Sequence, residues 1–144
     1  GITFSREQSV MKKFDQLMQL TDLVMLDIKH MDSDEHRMLT GHSNERILDF
    51  AQYLSEKNVD TWIRHVVVPG ITYNTDELLE LGRFIGTLPN VKAIDILPYH
   101  TMGKVKYDNL GLEYPMGDTP ALTKEQAIKA RQVVLAGVSQ TKKI

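Results

Sequence analysis

The sequence predicts an α/β fold in which three parallel strands alternate with helices. Two observations carry this. Three short runs rich in β-branched residues are separated by amphipathic stretches, and a fourth such stretch precedes them. Capping residues and Pro-Gly punctuation mark the ends of these segments, as strand–helix units require. Such alternation argues a parallel sheet assembled from βαβ units.

Taken in order, Ser5 with Gln8 makes a capping box that opens a helix to about Leu20, with Val10, Phe14 and Leu17 on one stripe. Leu23 to Lys29 is the first strand. A long polar loop follows, then a helix from about Asn44 to Lys57 that groups Ile47, Phe50, Ala51 and Leu54. The second strand is Thr61 to Val68, stopped by Pro69-Gly70. Asn74 and Glu77 can cap the next helix, whose stripe is Leu78, Leu81, Ile85 and Leu88. The third strand is Ala93 to Leu97, ended by Pro98. A loop of about 25 residues comes next, a length that suggests function or wrapping. Thr123 and Gln126 cap a last helix carrying Ala127, Ala130, Val134 and Val138.

The whole-chain numbers exclude several functions. The 144 residues suffice for one domain spanning 1–144. A formal charge of −2 gives no electrostatic case for nucleic acid. No apolar run approaches the ~20 residues that cross a bilayer, and no signal-peptide pattern opens the chain, so a cytoplasmic address is the default. There are no cysteines, hence no disulfide, thiol nucleophile or thiolate-held metal within these residues. Glycine-rich nucleotide motifs and a Gly-x-Ser-x-Gly elbow are also missing. Gly1 is no natural start, which points to a cut or cleaved product.

Strand alternation sorts the chemistry. Met25, Asp27 and Lys29 share one side of the first strand; Trp62, Arg64, Val66 and Val68 share one side of the second; Asp95 and Leu97 share one side of the third. The aliphatic residues between them suit contact with helices, so Asp27, Lys29, Arg64 and Asp95 face a common interior. Buried charges must pair, bind a ligand or meet water. Mutual ion pairing and a ligand-lined cavity both satisfy that demand, and an open doubly wound sheet and part of a βα barrel both place ligands at the C-terminal strand ends. His100 follows Pro98-Tyr99 at such an end. His30, His36 and His42 crowd one loop without metal-ligand spacing and read as solvated. His65 falls on the helix-facing side and reads as structural. Lys104, Lys106 and Tyr107 read as solvated loop residues, and the methionines as core filling.

Three blocks carry a resemblance. Thr21 to Lys29 resembles the fourth strand of the activating enzymes of pyruvate formate-lyase, Trp62 to Gly70 their fifth, and Leu97-Pro98-Tyr99-His100 the end of their sixth. Thr40-Gly41-His42-Ser43-Asn44 and Met102-Gly103-Lys104 keep the family's order and spacing. These are radical S-adenosylmethionine (SAM) enzymes, so the resemblance implies the C-terminal half of a partial (βα)6 barrel. It also implies a SAM site made of Met25, Asp27, Lys29, Arg64, Val66, Leu97 and His100, with a monovalent cation at Asp27. In the whole enzyme, a [4Fe–4S] cluster reduces SAM, and a glycine of pyruvate formate-lyase loses a hydrogen atom. Flavodoxin or ferredoxin is the electron donor the resemblance implies. The family's Cys-x3-Cys-x2-Cys loop and its Gly-Gly-Glu segment are absent from these residues, so the chain by itself is expected to be inactive and to dimerise, or be occluded, at an exposed strand edge. Activation of another glycyl-radical enzyme, a non-enzymatic ligand- or partner-binding domain, and an ordinary βα-barrel enzyme are the alternatives.

Overall fold

The computed structural model describes residues 3–99 and 121–142. Its elements run α1 (Gln8–Met18), β1 (Leu23–Asp27), α2 (Ser33–Thr40), α3 (Glu45–Glu56), β2 (Asp60–Val67), α4 (Thr75–Gly86), β3 (Val91–Pro98) and α5 (Lys124–Lys142). The strands form one sheet in the order β1-β2-β3, and both pairings are parallel. The sequence expectation of three parallel strands alternating with helices therefore holds.

One face of this sheet is closed. Leu26, Ile28, Ile63 and Val67 are buried, with Ile94 and Ile96 packed against the same core. Helix α3 contributes Ile47, Phe50, Ala51, Tyr53 and Leu54, α4 contributes Leu78, Leu81 and Ile85, and α5 contributes Ala130 and Val134. These are the stripes read from the 3.6-residue periodicity, with Tyr53 added. Helices α4 and α5 cross at glycines. A Cβ on Gly82 would strike the Val134 carbonyl, and one on Gly137 would lie 2.5 Å from the Leu79 carbonyl oxygen. The absence of side chains there lets the two backbones touch. At the β3 edge, Arg131 of α5 donates from Nη1 to the Ile94 carbonyl at 2.7 Å.

Three sequence expectations need correction. The Ser5–Gln8 box does not form: α1 begins at Gln8 after Glu7, and no side chain caps it. The preceding residues are committed elsewhere. Phe4 is fully buried in an aromatic cluster with Phe14, Phe50 and Tyr53, at centroid distances of 5.0 to 5.3 Å from Phe4. Arg6 beside it bridges Asp49 and Glu56 of α3. Consequently Leu17 is 55% exposed, and the stripe that packs inward is Met11, Phe14 and Met18.

The second correction is the polar loop, which contains α2. Its start is fixed by Asp32, whose carboxylate accepts the Glu35 N–H at 2.9 Å. Gly41 ends it in the left-handed region at φ 85°, which glycine adopts at no steric cost. Periodicity misses this helix because its buried face is one residue, His36. Third, the caps of α4 and α5 differ. At α5 the box is reciprocal: Thr123 N–H donates to Gln126 Oε1 at 2.9 Å, and Gln126 N–H to Thr123 Oγ1 at 3.2 Å. At α4 Asn74 accepts the Glu77 N–H at 2.8 Å, but the Glu77 side chain goes elsewhere.

Candidate functional site

The open face of the sheet is built by register. Met25 pairs with Trp62 and Trp62 with Ala93, giving a first row across the strands. The next row on the same face is Asp27, Arg64 and Asp95, and beyond it Val66 pairs with Leu97. Neighbours in such a row are about 4.8 Å apart, so charges of both signs stand side by side. Lys29 lies two residues past Asp27, where the ladder continues through the Ile28 N–H donating to the Arg64 carbonyl at 3.0 Å. Alternation alone placed Met25, Asp27, Lys29, Arg64, Val66 and Leu97 on one side, and the structure brings them together there. His100, Lys104, Lys106 and Tyr107 lie outside the described residues.

Ion pairing accounts for only part of this charge. Lys29 Nζ sits 3.8 Å from Asp27 Oδ2, with both side chains between two-fifths and one-half exposed. Arg64 is different. Its Nε is buried and has no hydrogen-bond partner among the described residues. A buried guanidinium donor left unpaired is costly, so this atom calls for an acceptor from outside the described residues. Met25 and Trp62 are exposed beside this row, and they add apolar surface on which a ring or thioether group could rest.

The histidines require a further correction. The reading of His30, His36 and His42 as solvated fails for two of them: His30 is 5% exposed and His36 1%. His36 is buried because α2 packs it inward, where its Nδ1 donates to the His42 carbonyl at 2.5 Å. Thr40 Oγ1 lies 3.1 Å from the same nitrogen. His30 is buried because its Nδ1 lies 3.2 Å from Glu77 Oε2 and 3.0 Å from the Asp32 nitrogen. Burial pushes the Glu77 carboxyl up from its ordinary value near 4.5, against the Met31 N–H that favours its ionised form. His65 is buried on the helix-facing side as the sequence suggested, and its Nδ1–H donates to the Ile28 carbonyl at 2.6 Å. Desolvation lowers its pKa below 6.5, so the ring is held neutral.

Sequence reasoning missed Glu77 and Asn44 as neighbours of the site. Glu77 looked like a capping residue, and its partners stand 46 and 47 positions upstream. Asn44 precedes α3 yet makes no cap; its Nδ2 donates to the His30 and Met31 carbonyls at 3.1 and 2.7 Å. No local pattern announces such long-range use of a turn-type residue. Among the described residues no cluster of histidine, aspartate and glutamate suits a metal ion, and no helix is long and apolar enough to cross a membrane.

Comparison with known proteins gives this geometry a context. The profile of the Radical SAM superfamily matches residues 3–82. The chain is 43% identical over 134 residues to the pyruvate formate-lyase-activating enzyme of Streptococcus mutans, covering 93% of this chain and 51% of that protein. With the Listeria monocytogenes enzyme of the same name the identity is also 43%, covering 93% and 54%. With that of Staphylococcus aureus it is 46% over 119 residues, covering 83% and 47%. The chain thus spans about half the length of the curated relatives it matches. A solved domain of pyruvate-formate lyase-activating enzyme from Bacteroides vulgatus superposes with a TM-score of 0.71 at 21% identity, covering 88% of this chain and 69% of that one, a likeness of fold.

Proposed function

This chain belongs to the radical SAM superfamily, and from that premise we propose that it forms the cofactor-facing wall of an activating enzyme for pyruvate formate-lyase. The observation that carries the reading is the row Asp27, Arg64 and Asp95, with a buried Arg64 donor in want of an acceptor. SAM is a zwitterion with a purine and a ribose, and this face offers charges of both signs beside apolar side chains. Met25 and Asp27 lie near the methionyl carboxylate, where a monovalent cation between the two carboxylates offsets their repulsion, and Lys29 reaches the methionyl or ribose portion. Arg64 supplies the wall, and Val66 and Leu97 flank the adenine; His100, whose place at the adenine edge is implied by the family resemblance alone, lies outside the described residues.

When bound beside an iron–sulfur cluster, SAM supplies hydrogen-atom abstraction, here from a glycine of pyruvate formate-lyase. The cluster itself does not fit these residues, because the chain holds no cysteine to ligate it. This chain's share of the work is therefore to bind and orient: its carboxylates and cations fix the two ends of the methionyl group, and its aliphatic side chains keep water from one side of the purine. A flavodoxin- or ferredoxin-type donor and pyruvate formate-lyase are the partners of this reading, and the cytoplasm its setting.

Calorimetric titration of the chain with SAM tests it. Saturable binding is expected, weakened about tenfold or more by Asp27→Asn and by Arg64→Met, since each removes a charged contact. Heats that do not saturate, or affinities unmoved by both substitutions, would remove the reading. Anaerobic reconstitution with iron and sulfide should leave the chain without SAM cleavage; cleavage products would show that thiolates are dispensable.

A further inference from the structure

The turn that follows β1 is gripped by side chains from three other elements. His65 of β2 donates to the Ile28 carbonyl at 2.6 Å. Asn44, at the head of α3, donates to the carbonyls of His30 and Met31. Glu77, in the first turn of α4, accepts the Met31 N–H at 2.7 Å through Oε1 and lies 3.2 Å from His30 Nδ1 through Oε2. One carboxyl group thus ties the backbone of one residue and the side chain of its neighbour.

The arrangement is more elaborate than loop anchoring requires. Asn44 leaves α3 without a side-chain cap in order to reach the turn. Glu77 is nearly buried with His30, although the other charged groups that act on it include Asp32 and Glu80, both acidic. Such an expensive contact is retained where position matters more than stability. The residue it brackets is Lys29. Ile28 before it is buried under the helices, His30 after it is buried against α4, and Lys29 alone projects onto the open face beside Asp27.

We infer that Glu77 and Asn44, acting through His30 and the Met31 backbone, are positioning residues for Lys29, setting where its ammonium stands over the open face. This rests on the SAM reading of that face. It predicts coupling: the contribution of Glu77 to ligand affinity should pass through Lys29.

The test is a double-mutant cycle on the 144-residue chain with SAM as the titrant, using Glu77→Leu, Lys29→Ala and their combination. Glu77→Leu keeps the volume but removes the acceptor, and Glu77→Gln restores an acceptor for the Met31 N–H. Expected are a loss of affinity in Glu77→Leu close to that of Lys29→Ala, a double variant no weaker than Lys29→Ala alone, and partial rescue by Glu77→Gln. Hydrogen exchange at the Met31 amide should quicken about tenfold in Glu77→Leu while Val66 stays unchanged. Additive losses, or a Glu77→Leu variant that binds as tightly as the unaltered chain, would overturn the inference and leave the SAM reading standing. Failure of the unaltered chain to bind SAM would overturn the SAM reading, and this inference with it. Where Glu77→Leu does not fold, the same cycle with Asn44→Ala, which removes the donor to the His30 and Met31 carbonyls, decides the matter: a loss additive with that of Lys29→Ala overturns the inference.

Discussion

The two faces of the sheet are cut from the same three strands, yet they obey different rules. On the helix side, alternate residues are aliphatic and close-packed, and the one imidazole among them, His65, spends its donor on the Ile28 carbonyl. On the open side, the residues between carry charge, an exposed thioether and an exposed indole, and a buried donor has no acceptor among the described residues. The first face is close-packed, although the Nε2 of His65 within it has no hydrogen-bond partner among the described residues. The second makes sense when something else lies on it. A period of two residues thus divides structure from function within each strand.

The largest test of that contrast compares neighbours on β2. Ile63→Ala should lower unfolding free energy by about 2–5 kcal/mol, the usual loss for truncating a fully buried aliphatic side chain. Trp62→Ala removes more atoms but should cost less, because its indole is already partly in water. Urea unfolding of both variants measures this, and a greater loss at Trp62 would mean that the open face is a second core. Next comes the helix layer. Gly137→Ala forces a methyl against the Leu79 carbonyl and should cost about 1–3 kcal/mol or more by overpacking, read in the same unfolding curves.

A pH series sharpens the contrast further. His65 has a folded pKa below 6.5, so the unfolded chain takes up a proton first as pH falls. Its contribution to stability therefore declines from pH 6.5 down to the lowered folded value, and His65→Gln should flatten that slope. Glu77 acts with the opposite sign: its raised carboxyl binds its proton more tightly in the folded chain, so stability declines as pH rises from 4.5 to the folded value. Unfolding of Glu77→Gln across this range should lack that decline. The smallest effect belongs to the Asp27–Lys29 pair. Being nearly half exposed, it should contribute only about 0.2–1 kcal/mol in a double-mutant cycle, so a larger loss of ligand affinity than of stability would mark its role as recognition.

Much of this architecture was legible beforehand, for identifiable reasons. The strands and the stripes on α3, α4 and α5 follow from periodicity, and periodicity alone set Asp27, Arg64 and Asp95 on one face. Helix α2 was hidden because only His36 turns inward, and its end is announced by Gly41 and not by hydrophobic spacing. The inward stripe of α1 was misread by one residue on either side of Phe14, because Phe4 anchors the chain ahead of it. The Glu77–His30 contact was invisible, since it joins residues 47 apart whose types are ordinary at a helix start and in a loop. Local rules report what a segment can do by itself, and long-range polar contacts belong to none.

The hydrogen bond from Arg131 to the Ile94 carbonyl gives the sheet a direction. An incoming strand at β3 would first have to displace a guanidinium from the acceptor it needs. Across the sheet, β1 pairs only with β2 among the described residues, and Leu23 and Met25 are exposed along it. Among the described residues, then, a guanidinium guards the β3 border, while β1 is a strand edge without a neighbour, the kind of border at which a further strand can pair.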